Sequence, residues 1–182
     1  MADEYPTELE ECMTLPDRRT LFVRPLRPGE VGTIQEFDAH LSRRTRYLRF
    51  LSYMPVMSEP ILRLLTSVDY RRRLSLVAEY RAASRLEIVA LGSFSALDDG
   101  AAEVALVVRD DWQRIGVGTL LTACVLRAAA DRGFARFVAN VLWENVAMRK
   151  ILNRVGRVVA TKSSPGVSEV TFVVLPTILS LS

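Results

Sequence analysis

The spacing of apolar positions along the chain changes several times, and each change marks a new element. Thr20 to Arg24 is a short apolar run stopped by Pro25 and Pro28, and it predicts a first strand. Pro28 suits the opening turn of a helix through about Leu41, Ser42 is a candidate N-cap for a helix from Arg43 to Leu51, and Ser58-Glu59-Pro60 opens a third helix to about Ser67. From Leu74 the period becomes that of strands. Leu74 to Tyr80, Glu87 to Ala96 and Ala102 to Val108 are strand-length apolar runs, the last two separated by the turn signal Asp98-Asp99-Gly100, and they predict antiparallel neighbours. Val117, Leu120, Leu121, Cys124, Val125 and Ala128 then recur at helical spacing, with Gly133 as the stop. Phe134 to Leu142 reads as strand and Glu144 to Arg154 as a helix ending at Gly156. Arg157 to Thr161 and Glu169 to Leu175 read as a hairpin around Pro165-Gly166. The pattern predicts an α/β (α+β) domain over residues 20–182 with a mixed sheet and no internal repeat.

Composition narrows the chemistry. A chain of 182 residues, 49% of them hydrophobic, supports one core. Residues 1–19 carry Asp3, Glu4, Glu8, Glu10 and Glu11 with neither a basic nor an apolar leader region, and are expected to form a flexible acidic tail. Val170 to Leu181 is apolar but shorter than the roughly 20 residues needed to cross a bilayer, so it reads as a final strand and no membrane association is expected. Cys12 and Cys124 imply neither a disulfide framework nor a metal site, which suits a cytoplasmic protein. His40 is the lone histidine, so a His-paired nucleophile is excluded and proton transfer falls to a carboxylate, a tyrosine or water. Ten arginines between Arg43 and Arg85 face only Glu59, Asp69 and Glu79. Such a patch suits an acidic protein surface, or is a set of solvated helix faces. Without an aromatic ladder or a known module it argues against nucleic acid.

The candidate chemistry lies between Glu103 and Gly118, E-V-A-L-V-V-R-D-D-W-Q-R-I-G-V-G. A lone carboxylate sits in an apolar strand upstream of a glycine-punctuated helix start. Gly116 and Gly118 let backbone approach a ligand closely, and the amides from Arg114 to Thr119 lie at the positive end of the following helix, where a diphosphate fits without a metal. Glu103 shares a strand face with Ala105 and Val107 and is the candidate general base. Its ordinary alternative is a surface carboxylate paired with one of the many arginines.

These residues carry a family resemblance. Gln113-Arg114-Ile115-Gly116-Val117-Gly118 matches the Q/R-x-x-G-x-G/A signature of the GNAT N-acetyltransferases, and Glu144, Asn145, Met148 and Gly156 match a downstream segment. The order of elements from Thr20 onward is similar too. The resemblance implies a mixed, mostly antiparallel sheet of about six to seven strands whose central strands splay at a bulge, flanked by helices. It implies acetyl-CoA as co-substrate, with Gln113, Arg114, Ile115, Gly116, Val117, Gly118 and Thr119 around the diphosphate. By position it places the backbone of Leu106, Val107 and Val108 along the pantetheine arm, with an amide near Val107 polarising the thioester. Asn145 matches an asparagine that contacts the same arm, and an asparagine there also serves as a helix cap.

Within that superfamily the chain most resembles the bacterial Pat-type protein lysine acetyltransferases. R-P-L-R-P at Arg24 to Pro28, R-Y-L-R-F at Arg46 to Phe50, V-D-Y-R-R-R at Val68 to Arg73, L-V-A-E at Leu76 to Glu79 and A-E-V-A-L-V-V at Ala102 to Val108 carry the likeness. It implies Glu103 as general base and protein substrates such as acyl-CoA synthetases, for a monomer or homodimer. Two other readings stand beside it: a small-amine or amino-acid acetyltransferase, and a non-catalytic acetyl-CoA-binding module. In R-Y-L-R-F, Leu48, Phe50 and Leu51 are expected to pack on the sheet while the arginines stay wet. One position departs from the family: the usual tyrosine that protonates the leaving thiolate is replaced by Leu152, and Arg157 stands for the common phenylalanine.

Overall fold

The computed structural model describes residues 4–83 and 85–180. The sheet begins earlier than the hydrophobic pattern suggests. A short edge strand, β1 (Glu11–Thr14), pairs antiparallel with β2 (Thr20–Pro25), inside the stretch expected to be a flexible tail. Two carboxylates of that stretch meet arginines, Glu11 with Arg127 at 2.6 Å and Glu8 with Arg132 at 4.0 Å, while Tyr5 stacks edge-on against Tyr70. A strand of four residues is too short to carry a periodic signal. Its pairing with β2 and its neutralisation by distant arginines are tertiary effects.

Three helices follow: α1 (Val31–Ala39), α2 (Arg43–Phe50) and α3 (Glu59–Thr66). The first begins after Pro28 rather than at it, because Gly29 takes a positive φ of 81° and turns the chain first. Ser42 caps α2 as expected, its side chain accepting from the Thr45 amide. Strands β3 (Arg73–Ala82), β4 (Arg85–Ala96) and β5 (Ala102–Val108) run antiparallel to one another. Then come α4 (Val117–Ala130), β6 (Phe137–Leu142), α5 (Val146–Val155), the hairpin of β7 (Gly156–Ser164) and β8 (Val167–Val174), and a short α6 (Pro176–Leu179). Pro176 therefore opens a helix where the sequence suggested continuing strand.

The eight strands of the described residues lie in the order β1-β2-β3-β4-β5-β6-β8-β7, one or two more than the resemblance implied. The β5–β6 neighbours alone are parallel. One apolar cluster joins Val104, Val108, Leu121 and Phe172 on the α4 side of the sheet, and a second joins Ile34, Phe37, Leu62 and Val107 on the α1 and α3 side. Strand parity in β5 thus sends Val104, Leu106 and Val108 toward α4, and Glu103, Ala105 and Val107 toward the other layer.

The arginines of R-Y-L-R-F divide. Arg46, expected to stay wet, is only 5% exposed and donates to Asp38 at 2.6 Å, while Asp38 also accepts from the Met57 amide at 2.9 Å. That buried pair ties α2 to α1 and to the loop before α3. Several exposed arginines of the basic region likewise have acidic partners, including Arg44 with Glu144 and Arg85 with Glu36. The Asp69 carboxylate instead accepts the amides of Arg71, Arg72 and Arg73.

Candidate active site

Two strands that begin as neighbours come apart. β5 and β6 pair only at Ala102↔Phe137 and Glu103↔Val138, whereas β5 stays paired with β4 along its whole length and β6 with β8. A wedge opens beyond Glu103. The bulge expected at this splay is not in β5, whose register against β4 is unbroken. A register shift does occur one strand over, in β4, where Val89 is left unpaired between Ala78↔Ala90 and Glu79↔Ile88.

Backbone alternation decides which β5 groups face the wedge. The Ala102 amide donates to Arg136 O, on the β6 side, and the Arg109 amide donates to Val89 O, on the β4 side. Even-numbered residues between them therefore turn toward the wedge and odd-numbered ones toward β4. Leu106 and Val108 present their amides to the opening. Val107, the position named from sequence, turns its amide into the sheet.

The loop ahead of α4 leaves a run of backbone amides unused. Arg114 and Gly116 take positive φ values of 66° and 101°, and Gly116 is the N-cap of α4. Alternating backbone hands of this kind point successive amides inward. The first helical bond is Leu120 N to Gly116 O, so the amides of Arg114 to Thr119 have no acceptor among the described residues. Gly118 serves packing as well: a Cβ there would meet Ile151 Cδ1 at 2.9 Å and Leu106 Cδ2 at 3.2 Å. Ile115 is half-buried and Val117 fully so, and their side chains pack against the α4-side core. Arg114 is exposed. The Gln113 side chain is spent on the protein, its amide donating to Val108 O at 3.0 Å and Thr45 Oγ1 at 3.2 Å.

At the mouth of the wedge lies a cavity of about 300 Å³. Glu103 and Ala105 of β5, Asn140 of β6, Asn145 and Met148 near the start of α5, Ile61 of α3, and the end of α2 with Arg49 and Phe50 line it. Asn140 Nδ2 donates to Glu103 Oε1 at 2.9 Å and holds the half-buried carboxylate in place. Leu48 and Leu51 also line this cavity. Asn145 acts as the cap of α5, its Oδ1 accepting from the Met148 amide at 3.0 Å, and its Nδ2 faces no protein acceptor among the described residues. Burial pushes the Arg49 guanidinium down to about 10, with the Glu103 charge working against that shift, so the group remains a cation at neutral pH.

The described lining holds no hydroxyl, thiol or imidazole. Leu152 is packed in the core, so no acid stands where the family's tyrosine would. Cys124 is buried on α4, where desolvation raises its thiol to about 12 and makes it inert. No group of three or more metal-ligating side chains occurs among the described residues. The arrangement suits direct attack by an incoming nucleophile whose proton Glu103 accepts. No described helix is long and apolar enough to cross a membrane.

The wall formed by α2 is tied to the segment that follows β5. Asp110 accepts from the Ser42 amide at 2.9 Å, Ser42 Oγ at 2.7 Å and Thr45 Oγ1 at 2.8 Å. Burial alone would raise this carboxyl, but the bonds from Ser42 and Thr45 outweigh it and hold it below the ordinary carboxylate value. A depressed folded value means the contribution is complete above the unfolded pKa of about 3.9 and is lost as pH falls through the folded one. Asp110→Asn is expected to flatten the acid end of the stability–pH curve relative to the parent, measured by denaturant unfolding from neutral to acid pH. Parallel curves would refute the coupling.

Sequence reasoning missed Asn140 and Asp110. Asn140 sits in an apolar strand as an exposed polar residue, a signal open to reading, but its meeting with Glu103 depends on a parallel pairing no local pattern shows.

The chain matches the acetyltransferase (GNAT) domain family over residues 20–158. It is 34% identical over 139 residues to the acetyltransferase Pat of Mycolicibacterium smegmatis, spanning 75% of this chain but only 41% of that protein. It is 29% identical over 144 residues to an acetyltransferase of Pseudomonas aeruginosa, covering 79% of this chain and 77% of the relative. The crystal structure of the GNAT domain of S. lividans PAT superposes with a TM-score of 0.83 at 27% identity, over 94% of this chain and 100% of that one.

Proposed function

Because the chain belongs to the GNAT acetyltransferase family, we propose that it transfers an acetyl group from acetyl-CoA to a lysine side chain of another protein, with acyl-CoA synthetases as the leading substrate class. Glu103, fixed by Asn140 at the edge of the open wedge, is the observation that carries this reading. The unpaired amides of Arg114 to Thr119 hold the diphosphate, and the pantetheine arm runs along the free backbone edge of β5 at Leu106 and Val108.

A lysine ammonium has an ordinary pKa of about 10.4, so only roughly one in a thousand is nucleophilic near neutral pH. Glu103 takes the proton, directly or through a water, and the freed nitrogen attacks the thioester carbonyl carbon. The Leu106 amide is placed to donate to the developing oxyanion. As the adduct collapses the C–S bond breaks, the nitrogen releases its second proton to water, and the thiolate, with an ordinary thiol pKa near 8.5, leaves and is protonated from water, while Glu103 returns its proton to solvent. Leu152 offers none.

The likeness to the Pat proteins supports protein lysine as acceptor. Isotope-labelled acetyl-CoA incubated with a lysine-bearing acyl-CoA synthetase, alongside a panel of free amines, tests it by mass spectrometry. Label on lysines of the synthetase is the expected result. Turnover confined to free amines would replace this reading with that of a small-amine acetyltransferase, and tight CoA binding without transfer would leave a binding module.

A further inference from the structure

The cavity beside Glu103 holds one other charged side chain, Arg49. It enters from α2, whose Phe50 packs on the α1 and α3 side of the sheet, the layer opposite α4, and so lines the side of the wedge left for the acceptor. Arg49 makes no ion pair or hydrogen bond with any described residue, although many other arginines of this chain do. Its guanidinium lies 4.9 Å from the Phe50 ring centroid, which satisfies one face and none of its five N–H donors. Glu103 shares the cavity without pairing with it, being held instead by Asn140.

A guanidinium half-removed from water with no acceptor costs stability unless a ligand supplies an anion. Packing alone needs only its aliphatic stem. The cavity therefore presents an anion and a cation side by side, the complement of a molecule that carries an ammonium and a carboxylate close together. We infer that Arg49 is a specificity-determining residue that receives a carboxylate borne next to the reactive amine of the acceptor, an inference resting on the amine-acetylation reading above. The ammonium goes to Glu103 and the carboxylate to the fork of Arg49. On a protein substrate this is a lysine flanked by an aspartate or glutamate. On a free amino acid it is the molecule's own α-carboxylate.

Two matched pairs of acceptors test this: a lysine peptide with a neighbouring aspartate or asparagine, and free lysine or lysine amide. In the parent protein the carboxylate member of at least one pair is expected to show kcat/KM higher by about tenfold or more, mainly through KM, as a charge-assisted hydrogen bond should give. Which pair shows it identifies the source of the carboxylate. Arg49→Gln should bring the ratio close to unity, and Arg49→Lys should restore part of it. CoA affinity, measured on each variant by calorimetry, reports whether the fold and cofactor site survive. Equal kcat/KM within both pairs for the parent, or a preference that persists in Arg49→Gln, overturns the role of Arg49 alone. A tenfold loss of CoA affinity in Arg49→Gln also overturns it, by assigning the residue to the cofactor. No transfer to any acceptor, with CoA still bound, overturns both this role and the enzymatic reading beneath it.

Discussion

Replacing Glu103 with glutamine is expected to lower kcat for acetyl transfer by about a hundredfold or more while leaving CoA affinity nearly unchanged. The substitution keeps the shape of the side chain and an oxygen that can accept from Asn140, so the strand pairing and the cavity wall remain as they are. What it removes is the capacity to take a proton. Because the described cavity lining offers no other base, the loss should not be shared among neighbours. The expected signature is a fall in kcat and kcat/KM together, with calorimetric binding of CoA intact. Transfer at the parental rate would dismiss Glu103 as the base, and a parallel loss of CoA binding would point to structural damage instead.

The largest stability effect is expected at Asp38. Asp38→Ala leaves the Arg46 guanidinium buried without its carboxylate and removes the acceptor of the Met57 amide. Breaking a buried ion pair from one side typically costs about 3–5 kcal/mol. For a chain of this size that corresponds to a fall in Tm of roughly 6–20 °C. Urea unfolding should show the same loss as a lower midpoint with little change in slope. A change below about 1 kcal/mol would mean the pair is already solvated or readily repacked. The effect bears on function because Arg46 lies on the helix that carries Leu48, Arg49 and Phe50 into the cavity.

Much of this was legible in the chain. Strand β5 runs over the residues its apolar pattern predicted, α2 and α3 begin at their expected caps, and the glycine-marked start of α4 adopts the left-handed turn its composition allowed. Each depends on neighbours within a few positions, so local propensity and steric freedom suffice. The acidic N-terminal stretch was misread because its strand is short and its charges are answered by Arg127 and Arg132, more than a hundred positions away. Arg46 was misread for a similar reason: an arginine at that spacing looks solvated until a carboxylate from another helix is packed beside it.

The order of elements from Thr20 to the β7–β8 hairpin, the glycine-marked turn ahead of α4 and the candidacy of Glu103 were determined by sequence, because each is a property of adjacent residues or of a single side chain among apolar ones. The tertiary structure decided which amides of β5 face the wedge, that Asn140 holds the Glu103 carboxylate, and that Arg49 shares its cavity. These follow from the partial pairing of β5 with β6 and from the seating of α2 against Asp110. Both are contacts between segments distant in the chain, and no periodicity within either segment encodes them.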